Sequence, residues 1–161
     1  MYKRQGYEEF SQALSYVMMA LAKMMAKDGE GATKLLEVTV SGALTEQDAR
    51  LAAKAVVSSN LVKSAFFGED ANWGRIVCAV GYSGAEFDTA KVDMWIQSLA
   101  GKEQMMASGT PLEFSETLAS KILAEKEIQV LIALNQGTGE ATAWGCDLSY
   151  DYIKINADYR T

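Results

Sequence analysis

The sequence predicts an α+β fold, and three observations carry that prediction. Residues 7 to 27 repeat apolar side chains at helical spacing, with Phe10, Leu14, Val17, Met18, Leu21 and Met25 on one stripe and Glu9, Ser15 and Lys23 away from it. Residues 32 to 40 and 91 to 97 alternate instead, which sets Leu36, Val38 and Val40, and then Val92, Met94 and Ile96, on single faces of strands. The order is helix, strand, two helices, then strands mixed with a helix, which argues for antiparallel pairing.

Each element has a local cause. Gly29 stops the first helix, whose Met18, Met19, Met24 and Met25 fall at core spacing. Thr45-Glu-Gln-Asp48 resembles a capping box and opens a helix through about Ser59. Leu61 to Phe67 is apolar without a decisive period, and Gly68 to Asn72 is a loop. Trp73, Ile76, Val77 and Val80 share a helical face, with Cys78 on the side expected to be buried, and Gly81 and Gly84 end that helix. Gly109-Thr-Pro111 is a turn, and Ser115 begins a helix through about Ala124. Ile128, Val130, Ile132 and Leu134 form a strand that is also apolar at Leu131 and Ala133, so it belongs inside a sheet. Asn135 to Gly139 reads as a hairpin-like loop and Glu140 to Asp147 as the return strand. Ser149 caps a last short helix holding Tyr152, Ile153 and Ile155. A soft boundary falls at residues 82 to 90, dividing the chain into segments 1–84 and 85–161.

Composition narrows the function classes. An apolar content of 49% with 22% charged residues fits a folded chain rather than a disordered one. A net charge of −6 without a basic cluster argues against a nucleic-acid partner. No apolar run suits a bilayer and no leader pattern opens the chain, so the expected compartment is the cytoplasm and no membrane is expected as a partner. Cys78 and Cys146 lack metal spacing, and with no histidine anywhere a Ser-His or Cys-His dyad and the usual metal ligands are absent.

Three stretches have the composition of a site. In Asp28-Gly-Glu-Gly-Ala-Thr-Lys34 a carboxylate stands between two glycines, where Glu30 can orient an amine or accept a proton; a helix stop followed by a solvated turn accounts for the same residues. In Phe67-Gly-Glu-Asp-Ala-Asn-Trp-Gly-Arg75, Asn72 or Asp70 suits a helix cap, and Arg75 suits either a substrate carboxylate or a structural ion pair. The stretch from Ala141 to Thr161 is dense in aromatic and polar residues, unlike a fraying end. There Asn156 and Thr161 offer short donors and acceptors, while Tyr150, Tyr152 and Tyr159 can serve packing alone.

Together Asp28–Lys34, Ser59-Asn-Leu-Val-Lys63, Gly68–Ile76 running into Gly81-Tyr-Ser83, and Ala143-Trp-Gly-Cys-Asp147 through Asn156-Ala-Asp-Tyr-Arg-Thr161 resemble the β chain of the ornithine acetyltransferase (glutamate N-acetyltransferase) family, in that family's order. The resemblance implies the C-terminal portion of an N-terminal-nucleophile-like fold, with a mixed or antiparallel sheet packed with helices. Residues 1–84 then correspond to the rest of the β-chain core and 85–161 to a C-terminal α+β domain. Family precursors cut themselves before a threonine, which then carries acetyl from N-acetylornithine to glutamate in arginine biosynthesis. The family's substrate-binding residues map to Glu30, Asn156 and Thr161. The cleavage-site threonine, upstream lysine and oxyanion-hole residues have no match, since Thr33 and Thr142 each follow an alanine inside an expected strand. The resemblance thus implies no catalytic residue, metal or cofactor in this chain, with acetyl-CoA as a co-substrate of the full enzyme. It further implies the missing N-terminal α portion as partner, within a heterotetramer. The alternative is a non-catalytic folding module that oligomerises through faces the missing portion would cover; a new enzyme with its own nucleophile has no residue to recommend it.

Overall fold

In the computed structural model, which describes residues 2–158, the alternating apolar positions meet in one sheet. Its strands are β1 (Leu35–Ala43), β2 (Asp93–Ser98), β3 (Gly101–Ala107), β4 (Thr110–Pro111), β5 (Glu127–Ala133) and β6 (Gly139–Cys146). They lie in the order β4-β3-β2-β5-β1-β6, with β1 parallel to β5 and the other neighbours antiparallel. The sheet is therefore mixed. The apolar strand β5 is internal, as its composition predicts. Residues before 85 supply β1, which sits between β5 and β6 from the second segment, so both segments contribute to one sheet and one core.

The core lies on one face. Leu36, Val38 and Val40 of β1, Ile128, Val130 and Ile132 of β5, and Met94 and Ile96 of β2 are buried there. Four helices cover them: α2 (Glu46–Ser58), α3 (Asn60–Phe67), α4 (Trp73–Gly81) and α5 (Glu116–Leu123). Burying each such side chain is worth about 1.5–3 kcal/mol, so this face is the main source of stability. The caps follow the local chemistry: Asp48 N–H donates to Thr45 Oγ1 at 3.1 Å, Arg75 N–H to Asn72 Oδ1 at 3.2 Å and Leu118 N–H to Ser115 Oγ at 3.2 Å. The opposite sheet face carries Glu37, Thr39, Gln97, Gln129, Thr142 and Trp144, all half-buried.

Several expectations are corrected. Strand β6 does not return beside β5, because β1 already occupies that side of β5. The connection crosses the end of β1 instead, with Gln136 N–H and Gly137 N–H donating to Gly42 O at 2.7 and 2.9 Å. Gly42 has φ +68°, and a Cβ there would lie 2.8 Å from Asn135 N. Leu61 to Phe67 is helix α3, started by Ser59. Strand β3 escaped notice because Lys102, Glu103 and Gln104 hide its alternation and its register against β2 shifts near Met94. Cys78 is exposed rather than buried, since the buried side of α4 is Ile76, Ala79 and Val80.

The largest correction concerns α1 (Tyr2–Lys27). Its period is helical, but its stripe is not core. Phe10, Leu14, Val17, Met18, Leu21 and Met25 are between 46% and 78% exposed, and Met19 and Met24 are exposed with them. The helix is fastened near its C-terminal end, where Lys23 pairs with Glu37 and Lys27 Nζ with Glu127 Oε1 at 2.7 Å.

Candidate functional site

The three stretches singled out in the sequence converge. Lys34, buried just before β1, donates from Nζ to Glu69 Oε1 at 3.0 Å, which joins the first stretch to the second. Phe67 meets Tyr150 edge-to-face at 5.3 Å, which joins the second to the third, and Leu148 N–H donates to Lys63 O of the same helix α3 at 3.2 Å.

The tightest joint is between the first and the third. Asp147, at the end of β6, is 3% exposed. It accepts from Thr33 N–H at 2.8 Å, from the Thr33 hydroxyl and from Lys34 N–H at 3.0 Å. Both of its oxygens are thus engaged by the two residues that follow the Gly-Glu-Gly-Ala stretch. Ser149 donates from Oγ to Gly31 O and accepts from Tyr152 N–H at 3.2 Å, so one hydroxyl both holds the turn and starts helix α6 (Tyr150–Asp158). Gly31 has φ +65°, and a Cβ there would lie 2.7 Å from Tyr152 N. Only glycine lets the turn and the helix approach this closely.

At the outer edge of this joint, Asn156 donates from Nδ2 to Glu30 Oε2 at 3.0 Å, across 126 positions of sequence, and also to Tyr152 O at 2.9 Å. Both side chains are exposed. A carboxylate and an amide beside each other at an open edge suit a ligand with an ammonium group and polar ends.

A second polar cluster lies on the opposite sheet face, beside the C-terminal end of α1. Glu37 accepts from Trp144 Nε1 at 2.7 Å and from Gln129 Nε2 at 2.8 Å, and Lys23 pairs with it while lying 5.6 Å from the centre of the Trp144 ring. Burial raises the Glu37 carboxyl, but hydrogen bonds from Lys23, Trp144 and Gln129 and the Lys23 charge outweigh it and hold the group below its ordinary value of 4.5. A cleft of about 220 Å³ adjoins this cluster and reaches neither Glu30 nor Asn156.

Known proteins share this fold. A family model described as the ArgJ family matches residues 2–161. The chain belongs to the ArgJ family. It is 58% identical over 155 residues to an "Arginine biosynthesis bifunctional protein ArgJ" from Caldanaerobacter subterraneus subsp. tengcongensis, covering 96% of this chain and 38% of the relative. It is 50% identical to a "Glutamate N-acetyltransferase" from Methanosarcina acetivorans, covering 96% of this chain and 39% of that one. The crystal structure of the arginine biosynthesis bifunctional protein ArgJ from Bacillus halodurans superposes with a TM-score of 0.89 at 45% identity, covering 95% of this chain and 70% of that chain. The chain therefore has the ArgJ fold and spans less than two-fifths of the curated relatives it matches.

Within this ArgJ-family chain, the expected residues separate. Glu30 and Asn156 are brought together, whereas Thr161 lies outside the described residues. Arg75 forms no ion pair among the described residues. Its Nη1 donates to Leu61 O at 2.9 Å and Ser64 Oγ at 3.3 Å, bracing α4 on α3. Sequence reasoning passed over Asp147 and noted Ser149 only as a cap. Their signal is the acid and hydroxyl of Cys-Asp-Leu-Ser149, placed between a strand and a helix.

Proposed function

We propose that this chain is the substrate-holding part of an ornithine acetyltransferase that moves acetyl from N-acetylornithine to glutamate. The observation that carries the reading is the hydrogen bond between Asn156 and Glu30, which puts two polar groups of the right chemistry at one open edge. Glu30 receives the ammonium group of ornithine, and Asn156, with Thr161 beyond it in sequence, holds the polar end of the substrate. The nucleophile belongs to the N-terminal portion of the family protein. Its threonine oxygen attacks the acetyl carbonyl, the carbon–nitrogen bond breaks, and ornithine leaves with the proton on its amine. The glutamate amine then attacks the resulting ester, restores an amide and frees the hydroxyl. No metal or cofactor takes part, and acetyl-CoA serves as a second acetyl donor to the same hydroxyl.

The N-terminal portion docks on the apolar stripe of α1 and the polar sheet face beside it, within a cytoplasmic heterotetramer. The exposed stripe supports this, because large contiguous apolar surface on a folded chain marks an interface. The test is co-expression with the N-terminal portion of a relative and measurement of ornithine formation from N-acetylornithine and glutamate. Activity is expected from the assembly, with Glu30→Gln raising KM for N-acetylornithine about tenfold or more, the loss of one charge-assisted hydrogen bond. A stably co-folded but inactive assembly sinks the reading.

A further inference from the structure

We infer that Ser149 is a positioning residue for the reaction: its hydroxyl sets the distance between Glu30 and Asn156. The inference rests on the proposed substrate role of that pair. Glu30 and Asn156 sit on different supports, one on a glycine turn and one on the exposed helix α6. A long exposed carboxylate and an amide stay in register only if the two backbones do.

Ser149 joins those backbones at one atom. Its Oγ–H donates to Gly31 O, the residue directly after Glu30, and the same oxygen accepts Tyr152 N–H at 3.2 Å. Tyr152 lies one helical turn before Asn156, and its carbonyl accepts from Asn156 Nδ2 at 2.9 Å. The link therefore runs from the Glu30 turn through one hydroxyl to the turn of helix that carries Asn156. Ser149 is 3% exposed, so water does not replace its hydroxyl readily. It touches neither Glu30 nor Asn156 by any hydrogen bond among the described residues, and acts through the backbone.

Substitutions separate this role from plain helix capping. Ser149→Ala removes the donor and the acceptor. Ser149→Asp keeps an acceptor for Tyr152 N–H and so keeps the cap, but it has no proton for Gly31 O. In the assembled enzyme, both variants are expected to raise KM for N-acetylornithine about fivefold with kcat held within about twofold, the signature of lost substrate alignment rather than lost enzyme. Added to Asn156→Ala, Ser149→Ala is expected to raise KM no further, because both act on one contact.

A fall in kcat at constant KM, a wild-type KM for Ser149→Asp, or KM effects that multiply in the double variant would each overturn the positioning role. Melting of each assembly, followed in parallel, separates loss of folded enzyme from loss of alignment. If Asn156→Ala itself leaves KM unchanged, the substrate reading falls and takes this inference with it. An Asn156 effect without a Ser149 effect removes this inference alone.

Discussion

Helices α1 and α6 are both peripheral and both largely exposed, yet they are exposed for different reasons. Helix α6 has no buried residue and exposes Tyr150, Ile153 and Ile155, but hydrogen bonds hold it at both ends, Ser149 to Gly31 at its start and Asn156 to Glu30 near its end. Helix α1 is 26 residues long, is attached through Lys23 and Lys27, and turns a regular stripe of Phe, Leu, Val and Met outward. The proposed N-terminal portion would cover a helix that keeps a core period without a core. A helix tied to a neighbouring turn by hydrogen bonds at both ends has its polar groups fixed in place. Exposure, even of apolar side chains, does not distinguish an interface from a site; the way the helix is fastened does.

The largest effect is expected where the α6 end is anchored. Asp147→Ala leaves Lys34 N–H, in a buried place, and the Thr33 N–H and hydroxyl, at its part-buried edge, without their acceptor. The cost is about 3 kcal/mol or more, read as a shift of the urea midpoint of the assembled enzyme. Asp147→Asn keeps one acceptor oxygen and is expected to cost less. A loss below about 1 kcal/mol for the alanine variant would mean that the site edge is not fixed by these buried bonds, and the contrast with α1 would weaken.

Much of this contrast was legible in the sequence, and the illegible part has physical causes. The capping box at Thr45, the strand β1 and the apolar strand β5 follow from short-range pattern, and the structure has them where the pattern puts them. Glu30 and Asn156 were singled out by chemistry and resemblance, but their meeting depends on a joint 126 positions apart, which no local rule encodes. The exposure of α1 is not legible in its stripe, because period reports which side of a helix is apolar, not whether anything covers it. The route from β5 to β6 is not legible locally, because a parallel partner, β1, comes from far upstream and takes the place a hairpin would fill.

The apolar stripe gives the next largest effect. Leu21→Glu puts a charge in the middle of the surface proposed to receive the N-terminal portion and is expected to weaken that association at least about tenfold, since a buried leucine side chain alone is worth about 1.5–3 kcal/mol. Ser15→Glu, off the stripe on the same helix, is expected to leave the affinity unchanged. Titration of the two portions by calorimetry measures both. Equal affinities for the two variants would show that α1 is exposed without being an interface, which removes the distinction drawn between the two helices.

The smallest effect concerns how α1 is held. Glu37 has its carboxyl held below the ordinary value of 4.5 in the folded chain, with hydrogen bonds from Lys23, Trp144 and Gln129 outweighing burial. A carboxyl depressed by folding binds its proton less readily than in the unfolded chain. Its contribution is therefore complete above 4.5 and is lost as pH falls through the lower folded value. Lys23 is 45% exposed, so the screened pair is expected to contribute within about 1 kcal/mol. The readout is the indole N–H resonance of Trp144, which donates to Glu37, together with amide exchange along α1, followed from neutral pH downward. In the native chain the indole signal shifts and α1 exchange quickens as Glu37 takes up its proton, and added salt lessens the change. Glu37→Gln keeps the shape and loses the titration, so its profile should be flat across that range. A native profile equally flat would mean that α1 stays seated without the Lys23–Glu37 pair, and that the apolar helix, like α6, has fastenings that do not depend on charge.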